Sequence, residues 1–255
     1  MSKRKKTKKS SASIEQRAKV FCQIFNAILE SNTVNRMGFL ALGYVEGFDQ
    51  TNVFSAGERC ESDGEHMMSF IWATWLMGVL FEDELPGFKP GKIKFIGSLH
   101  DIAEAQIGGD IPDDGNIRCL DKDERELHAF KKLLKGLPKQ SHKKATKAFK
   151  KFQRKDDYAY VIDKMLFPMV QLWRIKQGWP EGSMKFKEEC NMLTGTDADY
   201  MKAVNSEDPA VVTTARALTI TKGKPGFVVA SAILKAQFAA AGKEIPEALS
   251  SYFSP

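Results

Sequence analysis

Met67–Phe81 reads MMSFIWATWLMGVLF, fifteen residues without a charge. A membrane-spanning helix needs about 20 apolar residues, so this stretch falls short of a span. It reads as a helix over His66–Phe81, buried on nearly all sides, with Trp72 and Trp75 in the core. A helix with no polar face must be enclosed by other elements. Its surroundings should therefore be found in the flanking sequence.

Those flanks are helical in pattern. Upstream, Ile14–Ser31 carries Ile14, Ala18, Phe21, Phe25 and Ile28 at helical spacing. Residues 32–58 are glycine-rich and read as irregular. Downstream, Pro86, Gly87, Pro90 and Gly91 mark a turn. A helix is expected over Lys92–Gln106, with Ile93, Ile96, Leu99 and Ala103 on its inner face and Gly108–Gly109 ending it. Asp121–Leu137 is amphipathic and stops at Gly136 and Pro138. Residues 141–155 form a lysine-rich helix. Asp156–Lys176 is a further helix with Pro168 inside it, and 177–196 is irregular. Asp208 and Pro209 have the N-cap and first-turn chemistry of a helix through Val211, Val212, Ala215 and Leu218. GKPG (223–226) separates it from an alanine-rich helix over Phe227–Ala241. No run alternates long enough for a sheet, so the chain reads as all-α. The expected organisation is a disordered lysine-rich tail (1–13), a helical domain (14–176) and a helical C-terminal extension packed on that domain (177–255).

The 255 residues carry a net charge of +6, which the tail explains. Lys3, Arg4, Lys5, Lys6, Lys8 and Lys9 lie in the first ten residues with no acid among them. Without these six, 32 basic residues stand against 32 acidic ones. A nucleic-acid-binding fold usually carries its charge on the fold itself. The tail and the acid-free segment 131–155 are the two places for a weak polyanion contact. Otherwise they are a solubilising tail and a solvated helix face. Cys22, Cys60, Cys119 and Cys190 are scattered and form no metal or disulfide pattern. With no apolar segment after the basic N-terminus, the expected location is cytoplasmic, or nuclear through the tail, with no membrane contact.

Two of the four histidines, His66 and His100, lie in the most apolar part of the chain. Asp101 is adjacent to His100, and Glu104 lies one expected helical turn further on. Asp163 sits in the apolar context YVIDKMLF, where a carboxylate is costly unless paired or metal-bound. Two imidazoles and two carboxylates form a mixed nitrogen and oxygen set suited to a divalent transition metal. Such a site lowers the pKa of a bound water and polarises a phosphoryl oxygen.

The order H…HD…D resembles the HD-domain metal-dependent phosphohydrolases, and the likeness extends past the dipeptide. Arg59-Cys-Glu61-Ser62-Asp-Gly-Glu65-His66 is similar to that family's R-x-E-S-x-x-[DE]-H segment. His100-Asp101-Ile-Ala-Glu104-Ala followed by Gly109-Asp110-Ile-Pro112 resembles its H-D-x-x-E-A…G-D-I-P segment, and Lys122…Glu126-Leu-His-Ala129 its K…E-x-x-A stretch. Asp163-Lys164 stands where the last ligand belongs. The pattern is most similar to the 5′-deoxynucleotidase branch and covers roughly residues 14–176.

The resemblance implies an HD-domain helical bundle and a homodimer. It implies that His66, His100, Asp101 and Asp163 hold one divalent metal ion, whether manganese, cobalt, iron or zinc. Glu104 and Asp110 are the implied catalytic acids, and Arg36 and Arg59 the implied phosphate-binding residues. The expected reaction is hydrolysis of a deoxyribonucleoside 5′-monophosphate to nucleoside and phosphate. One alternative is a deoxynucleoside triphosphate triphosphohydrolase on the same metal site. Another is a non-catalytic HD fold that binds nucleic acid or protein.

Overall fold

The computed structural model describes residues 13–32, 63–103, 121–155, 157–176, 206 and 208–253. Among these are nine α-helices, one short 3-10 turn at Glu82–Glu84 and no strand. The all-α expectation therefore holds. The helices are α1 (Ile14–Asn32), α2 (Asp63–Leu80), α3 (Pro90–Gly97), α4 (Lys122–Leu133) and α5 (Lys139–Gln153). They continue with α6 (Tyr158–Lys176), α7 (Pro209–Thr221), α8 (Phe227–Ala240) and α9 (Glu247–Phe253).

α6 is the axis. Its Ala159, Ile162, Leu166, Met169 and Leu172 have no exposed surface, because apolar residues at three- and four-residue spacing line more than one side of the helix. α2, α3, α7 and α8 all pack on it, and α1 closes the other side of α8 and α2. Phe21, Phe25, Phe70, Phe81 and Phe238 meet in one core that draws on helices from α1 to α9. Gln237 on α8 donates to Asn26 on α1 at 2.8 Å and to the Met169 carbonyl on α6 at 3.3 Å. One buried amide thus joins three helices. A second, smaller cluster of Ala103, Ala129, Phe130, Ala145 and Phe149 joins α4 and α5 to the turn after α3.

Asp208 caps α7 by accepting from the Ala210 N–H at 2.9 Å, with Pro209 in the first turn, as its sequence requires. Lys139, Lys143, Lys144, Lys147 and Lys150 are exposed on α5, and Ala145, Ala148 and Phe149 face inward. No helix among the described residues is long and apolar enough to cross a membrane.

Three expectations are corrected. First, α2 is not enclosed on nearly all sides. Met68, Trp72, Trp75 and Val79 are 40–60 % exposed and form a stripe along one face, with Trp72 and Trp75 edge to face at 5.8 Å. The helices packed on α2 cover its Ser69, Phe70, Ala73, Leu76 and Met77 side, and a run without charges does not reveal which face that will be. Second, the helix expected over Lys92–Gln106 begins earlier, at Pro90, and ends at Gly97. Ser98 to Ala103 form turns, and His100 and Asp101 lie in them. Third, α9 is an additional helix, short enough for its pattern to pass unread. Residues 1–12 of the expected tail, Glu104–Gln106 and the irregular segments at 33–58 and 177–196 lie outside the described residues.

Cys22 sits 1 % exposed between α1 and α8, and its Sγ–H donates to the Ile233 carbonyl at 3.4 Å. Burial pushes its pKa up to about 12. The thiolate is the reactive form. Native Cys22 is therefore expected to alkylate about 10³-fold more slowly at pH 8 than in the unfolded chain, as read from the labelled peptide by mass spectrometry. Equal rates would contradict this packing of α1 on α8.

Candidate metal centre

Three separate segments deliver the site. His66 stands in the first turns of α2, Asp163 near the start of α6, and His100 and Asp101 in the turn after α3. That turn exists because α3 cannot continue. The His100 ring Nδ1 lies 2.6 Å from the Gly97 carbonyl. A carbonyl only accepts, so Nδ1 carries the hydrogen and occupies the acceptor that a continuing helix would offer to the Asp101 N–H. The Ser98 N–H still makes the helical bond to the Lys94 carbonyl, while the Leu99 N–H bonds three residues back to Ile96, which tightens the last turn.

Gly97 makes this close packing feasible. A Cβ there would fall 1.9 Å from Phe70 Cε1. The Phe70 ring in turn lies 5.4 Å from the His100 ring, and Phe152 of α5 lies 4.5 Å from it on centroid distances. The imidazole is held by two phenyl rings and one carbonyl, leaving Nε2 to face the cluster.

Around Nε2 the polar atoms converge. His100 Nε2 lies 2.9 Å from Asp101 Oδ2 and 3.1 Å from Asp163 Oδ1. His66 Nε2 lies 2.9 Å from the same Asp163 oxygen and 3.8 Å from Asp101 Oδ2. One ligand atom each from His66, His100 and Asp163 fits within 4.8 Å, the one cluster of three or more such groups among the described residues. The His100 side chain is 1 % exposed, Asp163 7 %, and His66 and Asp101 19 % each. The site is therefore sealed on the His100 side and open on the His66–Asp101 side.

The electrostatics are those of a cation site. Burial pulls the His100 pKa down, but the Asp101 and Asp163 carboxylates pull it up further, to about 9. Burial pushes the Asp163 pKa up, yet the Lys164 ammonium and the two imidazoles hold it well below the usual carboxylate range. A carboxylate kept ionised in so buried a place, with the Asp101 carboxyl beside it and two imidazole nitrogens facing it, is a donor set suited to a mid-series divalent metal. The hydrogen bond from Nδ1 to a carbonyl is the outer contact that orients a histidine ligand.

Lys164 Nζ lies 2.9 Å from Asp163 Oδ2, behind the cluster. Glu126 on α4 is 7 % exposed and pairs with Lys122 at 3.5 Å. Burial raises its pKa against the pull of Lys122, and the charges of Asp123 and Asp101 raise it further. A buried acid of α4 thus feels the site's Asp101. The sequence assigns no role to Lys164 or Glu126, although the Asp163-Lys164 pair and the Lys122…Glu126 stretch both belong to its motifs.

Of the residues expected to form the site, His66, His100, Asp101 and Asp163 come together. Glu104, Asp110, Arg36 and Arg59 lie outside the described residues. The continuous helix expected to carry Glu104 one turn past His100 ends before His100.

No curated protein and no solved structure matches the chain. A family model described as an HD domain matches residues 50–205. The matched segment takes in the His66, His100–Asp101 and Asp163 positions. With more than half of its 255 residues matched and those four side chains gathered at one point, the chain belongs to the HD-domain family.

Proposed function

We propose that the protein is a metal-dependent phosphohydrolase of nucleotides, acting on deoxyribonucleoside 5′-monophosphates to release nucleoside and phosphate. The observation that carries the reading is the convergence of the His66 and His100 Nε2 atoms with the Asp163 and Asp101 carboxylates. One divalent ion of manganese, cobalt, iron or zinc, bound by these four residues, would supply Lewis acidity toward the phosphoryl oxygen and a water of lowered pKa. The chain's own residues do the rest. His100 is fixed by Gly97, Phe70 and Phe152 and keeps its Nε2 directed at the cluster. The exposed side, between His66 and Asp101, is the entrance for phosphate and water. Glu104 takes the proton of the attacking water and returns one to the departing O5′. Asp110 assists Glu104, and Arg36 and Arg59 bind the phosphate dianion through paired N–H groups.

The test is a product assay. Metal-supplemented protein is incubated with ribo- and deoxyribonucleoside mono- and triphosphates, beside His66→Ala and Glu104→Ala. The expected result is phosphate release from the deoxymonophosphates, lost in both variants. Release of intact triphosphate would move the activity to a triphosphohydrolase. No turnover with any of the four metals would overturn the reading.

A further inference from the structure

α5 breaks the charge rules that its neighbour obeys. α4 has Asp123 and Glu124 in its first turn and Lys131 and Lys132 in its last, the order that the helix dipole favours. α5 opens on Lys139 with no acid in its first turn, and residues 131–155 contain no acid at all. At about 3.6 residues per turn, Lys139, Lys143, Lys147, Lys150 and Arg154 fall within an arc of about 80° and follow one another over about 22 Å. All five are exposed. They lie on the opposite side of the helix from Ala145, Ala148 and Phe149, which are buried.

Successive cations of this stripe stand three or four residues apart, so each has a like charge as its neighbour. Among the described residues, no carboxylate pairs with any of the five. The lysines beside the stripe are engaged elsewhere. Lys151 pairs with Asp157, and Lys144 lies 5.2 Å from the centre of the Phe95 ring. A solvated helix face normally interleaves the two signs of charge. A stripe of one sign on a folded helix carries a repulsion that a row of anions would remove.

The form of the stripe selects the partner. It is held rigid, because α5 is anchored in the two cores through Ala148, Phe149 and Phe152. A rigid row of cations fits a partner whose own charges recur at a fixed interval, as the phosphates of a nucleic-acid backbone do. Four of the five are lysines, which meet phosphate as point charges, and such contacts carry no sequence information. The exposed side of α5 has no aromatic ring on which unpaired bases could stack. Nor can α5 lie in a bilayer surface, since the apolar face that would insert is already buried in the protein.

We propose that the outer face of α5 is a docking surface for the phosphate backbone of a nucleic-acid duplex, bound without regard to sequence. The proposal is independent of the phosphohydrolase reading, because the stripe points away from the side of α5 whose Phe152 packs on His100.

The test uses the full chain, with its lysine-rich tail intact in every variant. Binding to labelled DNA and RNA duplexes of about 20 base pairs, a length that exceeds the stripe, is read by fluorescence anisotropy across a salt series. Lys143→Gln/Lys147→Gln/Lys150→Gln removes three charges from the stripe. Lys19→Gln/Lys92→Gln/Lys235→Gln removes the same charge from exposed positions on α1, α3 and α8. Each phosphate contact adds about 0.9 to the slope of log affinity against log salt. The stripe variant is therefore expected to lose about 2.7 from that slope and about 10²-fold in affinity at 0.1 M salt on at least one of the two duplexes, whatever its sequence. The scattered variant should bind nearly as the parent does. Glutamine is as good a helix former as lysine, so the stripe variant should melt no lower than the parent, which separates lost binding from lost folding. Equal losses in the two variants would show a response to net charge alone. Unchanged binding in the stripe variant would place the contact on the tail. A parent that binds phosphatidylserine vesicles and neither duplex would make the surface a membrane contact. Each of these three results overturns the proposal.

Discussion

Asp163→Ala is expected to lower kcat/KM more than about 10³-fold, beyond the roughly 10–100-fold that losing an outer partner of a metal ligand costs. Its Oδ1 is shared by both imidazoles at 2.9 and 3.1 Å, and its Oδ2 faces Lys164 at 2.9 Å. No other described carboxylate bridges His66 and His100 so closely. Alanine there removes the oxygen shared by the two imidazoles and, on the proposed reading, a metal ligand. Metal content after dialysis should fall in parallel with activity. In the metal-free protein, alanine leaves Asp101 as the one close carboxylate of the buried His100 among the described residues. Breaking a buried ion pair from one side costs about 3 kcal/mol or more, which thermal unfolding in chelator will read. Asp163→Asn keeps the volume and separates the lost charge from the lost packing. Full activity with metal retained in Asp163→Ala would show that the four-residue cluster is not the reaction centre.

Gly97→Ala is expected to unfold the protein more readily by about 3 kcal/mol, the upper part of the range for overpacking a core. That corresponds to roughly 6–12 °C in Tm for a chain of this size. The new Cβ would meet three atoms of the Phe70 ring at 1.9–2.6 Å, and Phe70 is fully buried, with no free side to move into. The effect should extend to the metal centre. Gly97 gives its carbonyl to His100, and Phe70 packs on the His100 ring. The surviving folded protein should therefore bind metal more weakly. Gly91→Ala is the control, with nothing within 4 Å of its added methyl, and its stability should change by less than about 0.5 kcal/mol. In Phe70→Leu/Gly97→Ala the smaller side chain should recover part of the lost stability. If Gly97→Ala melts with the parent, the close approach of α3 to α2 is wrong.

Most of the helices were legible because each carries an apolar stripe or a bounded uncharged run. α1 and α6 are read within two residues at either end, and the Asp208–Pro209 start of α7 is where the cap chemistry puts it. The four cluster residues were legible for a different reason. Histidines and a carboxylate in apolar sequence are costly to bury alone, and their H…HD…D order, which resembles the HD-domain family, singled out these four. The exposed stripe of α2 was not legible. Met68, Trp72, Trp75 and Val79 are as apolar as the residues that face the core, and hydropathy separates faces only where polar residues mark one of them. The end of α3 was missed for another reason. Ile93, Ile96, Leu99 and Ala103 keep helical spacing past Gly97, but the carbonyl that would continue the helix is bound by a side chain three residues on.

The sequence by itself determined the all-α class, the positions of most helices and the four residues that meet at one point, because these follow from local periodicity, from the cost of burying charge and from the H…HD…D order that resembles the HD-domain family. Tertiary structure alone decided which face of α2 is open, where α3 stops and how His100 is clamped. Those features depend on distances between segments far apart in the chain, and the pattern within any one segment does not contain them.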